Sequence, residues 1–158
     1  MSKRILLATL VVGALDILEV IVFYGVRNQV PPTRILQSVA VGLLGSGAYE
    51  GGIPTALLGL GLHYFIAFCV VCVFFYASRR LPVLRTAPVV MGAVYGLLVY
   101  LFMNFVVLPL SAAGPPTFRV VGVLNQLFAH VFCVGIPTAL FARSAMVAEP
   151  QPQSQSTP

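Results

Sequence analysis

An all-α fold of four transmembrane helices, with a short re-entrant or interfacial helix between the first and second, is what this sequence predicts. Three observations carry it. Of 158 residues, 59% are hydrophobic and 8% charged, with a mean hydropathy of +0.98. A soluble domain averages about 25% charged residues, so a soluble reading fails. Four apolar runs reach the ~20 residues that cross a ~30 Å hydrocarbon core at ~1.5 Å per residue. The Lys and Arg residues stand at the ends of those runs, where they anchor and orient membrane helices. They form no stripe, so the net charge of +5 does not point to nucleic acid.

The first span is Ile5–Tyr24, 20 residues after the basic start MSKR. A cleaved signal peptide is the competing reading. Asp16 and Glu19 interrupt the run, and VFYGVRNQ offers no small-x-small cleavage site, so it is kept as a membrane helix. Pro31 and Pro32 then break the chain, and Thr33 can cap a new helix. Its apolar part, Ile35–Leu44, is too short to span, and Gly45, Gly47, Gly51 and Gly52 end it. The Thr33–Ser46 segment is therefore expected to be re-entrant or interfacial.

The second span is expected from about Pro54 to Ser78, the third from about Pro88 to Leu110, and the fourth from about Arg119 to Ala142, stopping at Arg143. Residues 1–146 then form the transmembrane domain. Residues 147–158, rich in Pro, Gln and Ser, have almost nothing to bury and are expected to be a disordered cytoplasmic tail. Four spans place Lys3, Arg4, Arg79, Arg80, Arg85 and Arg143 on one side and Arg27, Arg34 and Arg119 on the other. Six against three favours both termini in the cytoplasm.

The hexapeptide GIPTAL occurs twice, at Gly52–Leu57 and Gly135–Leu140. The first copy opens the second span, with Pro54 in the first turn. The second lies late in the fourth, where Pro137 should kink the helix. The flanks differ and the copies fall at opposite depths, so a duplication is rejected.

Depth does bring other residues together. His63 follows Pro54 by nine residues and His130 follows Arg119 by eleven, which puts both ~13–17 Å below the outer boundary. Asp16 lies ~18 Å up from the inner one, at a similar level. Glu19 and Asn104 stand about one turn further out, and Gln126 precedes His130 by one turn. Thr9 and Gly13 share the face of Asp16, and Ala56, Gly59 and Ala67 that of His63. Gly92 and Gly96 form a GxxxG on the third span. These small residues mark faces that meet other helices, so the polar groups point at partners. The candidate binding layer is Asp16, His63, Asn104, Gln126 and His130, with Glu19 and Glu50 secondary.

A charge at mid-bilayer costs ~2.5–3.5 kcal/mol even on the lenient insertion scale, so Asp16 needs a partner, a proton or water. Intramembrane ionisable groups mark solute, ion or proton sites by default. The bland alternative is interhelical glue, worth ~0.6 kcal/mol per hydrogen bond on average. A third alternative is haem held between His63 and His130. Cys69, Cys72 and Cys133 lie in apolar runs and read as packing residues. No HExxH or paired CxxC spacing is present, and no nucleophile–base pair can be assembled. Neither a metal site nor an enzyme is therefore expected.

RILQSVAVGLLG, YEGGIPTALLGLGLHYFIAF, FYASRRLP, GAVYGLLVYLFMNFVVLPLSA and HVFCVGIPTALFAR together resemble a group of small proteobacterial inner-membrane proteins of unknown function. The resemblance covers most of Arg34–Arg143, and Leu15–Ile17 also fits. It implies the bacterial inner membrane and supplies no activity or substrate. Glu19 is less typical of that group than Asp16. The expected partners are the lipid bilayer, a small solute or ion, and further copies of the chain in a homo-oligomer. Four helices leave little interior for a conduction path, so a transporter would need a dimer.

Overall fold

A computed structural model of the chain describes residues 2–147. Six helices follow in order: α1 (Ser2–Asn28), α2 (Pro32–Leu44), α3 (Gly52–Arg80), α4 (Val83–Thr86), α5 (Pro88–Leu110) and α6, which begins at Val120 and reaches Val147. Among the described residues there is no strand. Four of these helices, α1, α3, α5 and α6, are long and apolar enough to cross a membrane.

The half of the bundle that holds the start of α1 and the end of α6 is its apolar core. Ile5, Ala8 and Val12 of α1 meet Val71, Phe74 and Phe75 of α3, together with Val134, Ala139, Ala142 and Ala145 of α6. Leu10, Leu18, Phe65, Leu98 and Leu124 face outward and stay exposed. Spanning helices are apolar on that face because lipid takes the place of water there. The core contacts also carry α6 past Arg143. Ala142 and Ala145 are buried, and the guanidinium of Arg4 donates to the carbonyl of Ser144. The start of α1 and the end of α6 therefore lie on the same side, as four crossings require. Residues 148–158, most of the expected tail, lie outside the described residues.

α2 begins two residues earlier than a Thr33 cap would place it. Pro32 takes the first helical position, where a missing N–H is harmless, and the Pro31 carbonyl accepts from Arg34 and Ile35. Gly45, at φ +67°, ends the helix and leads into a 3-10 segment, Gly45–Glu50. α2 packs against α3 at Gly59, where the carbonyl of Leu36 occupies the place of a β-carbon. Gln37 is buried in the same contact and donates to the carbonyl of Gly52 at 2.9 Å and to Thr55 Oγ1 at 3.2 Å. The N–H of Ala112, just beyond α5, donates to the carbonyl of Gly42 and ties α2 to the end of α5.

The GxxxG of α5 works as its spacing predicts. Gly92 and Gly96 lie against the backbone of His130, Gly135 and Ile136 on α6, closer than any side chain would allow. Gly135 is thus a helix-packing residue, whereas Gly52, first of the other GIPTAL copy, turns the chain at φ +60°. The two copies do different work.

A π segment stands ahead of a proline in both α5 and α6. Met103–Val107 precedes Pro109, and Ala129–Gly135 precedes Pro137. A proline in a helix supplies no N–H and crowds the carbonyl four residues back. A wider turn upstream relieves both faults, and α5 and α6 continue through it.

Candidate functional site

Both π segments carry members of the polar layer, Asn104 in one and His130 in the other. π turns are frequent at functional sites because they break the regular register and re-aim side chains.

Asp16 and His63 meet across α1 and α3. One ring nitrogen of His63, Nε2, lies 2.8 Å from the carbonyl of Gly13. A carbonyl only accepts, so Nε2 carries the N–H. The other nitrogen, Nδ1, faces Asp16 Oδ2 at 4.0 Å. In a neutral imidazole Nδ1 then holds a lone pair, which a carboxylate oxygen would repel. One proton resolves this, whether it sits on Oδ2 or on Nδ1. A closing of roughly 1 Å turns the pair into a direct hydrogen bond. The Asp16 side chain is 21% exposed against 11% for His63, so Asp16 is the more open member.

His130 is tied in the opposite sense. Its Nδ1–H donates to the carbonyl of Gln126 at 2.8 Å, leaving Nε2 as an acceptor. Its ring stands edge-on to Tyr100, with centroids 5.8 Å apart. Asp16, His63 and His130 line one small, partly open cavity of about 150 Å³, otherwise walled by apolar side chains such as Val12, Val70 and Val99. A second cavity, of about 440 Å³, shares Asp16, Met103 and His130 with the first. It extends past Asn104 and Gln126 to Arg34. All five residues of the expected polar layer therefore border one or both of two adjacent cavities.

The roles of the others differ from the sequence expectation in detail. Gln126 meets His130 through its backbone carbonyl. Asn104 is buried and its Nδ2 donates to the carbonyl of Tyr100 at 3.0 Å. Glu19 accepts from Asn125 Nδ2 at 3.4 Å, a partner that the sequence reading passed over. Asn125 is 8% exposed, and its amide in an apolar run was the signal that could have found it. Glu50 is exposed at the end of the 3-10 segment and borders neither cavity that holds Asp16.

Arg34, Tyr49, Ser38 and Tyr24 line the larger cavity and were not expected there. The guanidinium of Arg34 lies 4.3 Å from the centre of the Tyr49 ring, a cation–π contact that holds it beside the cavity. α2 thus supplies one wall of the site. Among the described residues no three His, Cys, Asp or Glu side chains gather as a metal ion would need. Compared with protein-family models, curated proteins and solved structures, the chain matches none.

Proposed function

We propose that this is a multi-pass protein of the bacterial inner membrane, with both termini cytoplasmic, whose Asp16–His63–His130 centre binds a proton or small solute and passes it on. One observation carries the reading: Asp16 and His130 line both the larger cavity and the smaller one that holds His63. A group that served only as glue would have no need of a route from the outer side. The chemistry is a hand-over of one proton between Oδ2 of Asp16 and Nδ1 of His63, with Nε2 of His130 as an acceptor on the same cavity. This is binding and transfer; it needs no catalytic nucleophile. A homo-oligomer would complete a path that four helices alone leave narrow.

Haem fits poorly. The Gly13 carbonyl holds Nε2 of His63, which leaves only Nδ1, on the Asp16 side, for an axial ligand. The shared cavity of about 150 Å³ is also below the ~300 Å³ at which organic ligand pockets begin.

The test is proton uptake into phosphatidylcholine vesicles that contain the protein and an internal pH dye, after external acidification. Wild type should acidify the interior faster than empty vesicles. Asp16→Asn should fall to the empty-vesicle rate while keeping a melting temperature near wild type. Unchanged uptake in Asp16→Asn, with only a lowered melting temperature, would leave the pair as glue.

A further inference from the structure

The three basic residues assigned to the outer side come from three separate elements. Arg27 lies in the last turn of α1, Arg34 in the first turn of α2, and Arg119 at the N-cap of α6. Arg27 and Arg119 line a cavity of about 470 Å³. Arg34 lines the neighbouring cavity of about 440 Å³, which descends to Asp16 and His130. Tyr24, Asn104 and Gln126 line both, so the two lie side by side and are together called the vestibule. Each is within the ~300–1,000 Å³ range of small-ligand sites.

The electrostatics of this vestibule are one-sided. Among the described residues no carboxylate lies within ion-pair distance of Arg27, Arg34 or Arg119; the ion pair nearby is Asp16 with His63. Arg119 also stands at the positive end of the α6 dipole, with no side chain capping the helix. A cation at that position is unfavourable until a negative group joins it. All three arginines are exposed, and each also borders one of these two adjacent cavities.

We infer that this vestibule binds a small anion, through a carboxylate or phosphate group held between arginines. The inference rests on the reading of the polar centre as a binding site and names what that site takes. Guanidinium groups suit such oxyanions because their N–H donors match them in pairs. Asp16 borders the Arg34 cavity, with Nδ1 of His63 4.0 Å from its carboxyl.

The experiment uses the full chain in phosphatidylcholine nanodiscs. Its melting temperature is measured with succinate, inorganic phosphate or choline at matched ionic strength. In a second arm phosphatidylglycerol replaces part of the lipid. Succinate, phosphate or phosphatidylglycerol should raise the melting temperature, and choline should not. In Arg27→Gln/Arg119→Gln the apparent affinity should fall at least about tenfold. Arg27→Lys/Arg119→Lys, which keeps the charge, should recover part of it and shows that the fold survives. A response to the soluble anions identifies a free solute, and a response to phosphatidylglycerol alone identifies a lipid headgroup. No response to any anion in either arm overturns the inference, as does equal affinity in the glutamine variant. Loss of anion binding with proton uptake intact sinks this inference alone. Absent proton uptake with arginine-dependent anion binding sinks the transfer reading alone.

Discussion

Asp16 and His63 sit on helices that cross in opposite directions, and counting residues from each membrane boundary was enough to put them at one depth. Rotation was legible too, because Thr9 and Gly13 mark the buried face of α1, and both are buried. What counting could not supply was which histidine the carboxylate meets. That depends on the close approach of α1 and α3 at Gly13, where Tyr64 and Ala67 leave little room for a β-carbon. Nor could it show that Gln126 acts through its carbonyl, since a side-chain reading ignores backbone acceptors. Thr138 gives a separate test at this scale. It is fully buried, and its hydroxyl has no hydrogen-bond partner. A buried unsatisfied group costs ~1–3 kcal/mol, and valine has nearly the same shape. Thr138→Val should therefore stabilise the protein by about 1 kcal/mol, measured by unfolding in mixed micelles.

The four spans and the short helix were legible as elements because length and apolarity decide them in lipid. Their ends were less so. α6 outruns Arg143 because its alanines pack on α1, a tertiary effect that hydropathy does not register. The π segments were hidden for a related reason. Pro109 and Pro137 announce a fault in the helix, but the widened turn ahead of each depends on the neighbouring helix. Here Gly92 and Gly96 admit the backbone of α6 at that level. The glycines consequently divide into two kinds. A β-carbon on Gly96 would collide with the carbonyl of His130, which is backbone and cannot swing aside. Gly96→Ala should cost ~1–3 kcal/mol, as overpacking does. A β-carbon on Gly61, in the middle of α3, would meet nothing. Gly61→Ala should instead add ~0.5–1 kcal/mol through helix propensity. Unfolding of the two variants side by side checks both signs, and equal effects would deny the α5–α6 contact.

At the scale of the whole molecule, the charge bias and the even number of spans predict an arrangement in the membrane. In a background without native cysteines, a cysteine at Pro82, between α3 and α4, should resist an impermeant thiol reagent in intact cells. A cysteine at Gly114, between α5 and α6, should be labelled. The reverse pattern would turn the vestibule toward the cytoplasm. Composition alone made the membrane reading, whereas the vestibule needed the folded chain. Arg34 reads as an anchor until α2 is seen packed on Gly59, and only that packing makes it a wall of the site. The central claim is that α1 and α3 place Asp16 and His63 as one unit sharing a proton. It is tested most directly by a double-mutant cycle of unfolding free energies for Asp16→Asn, His63→Ala and the double variant. The account predicts a coupling of about 1 kcal/mol or more, because either single change leaves a buried partner unmatched. Losses that add to within ~0.5 kcal/mol would mean that the two residues act independently, and would contradict it.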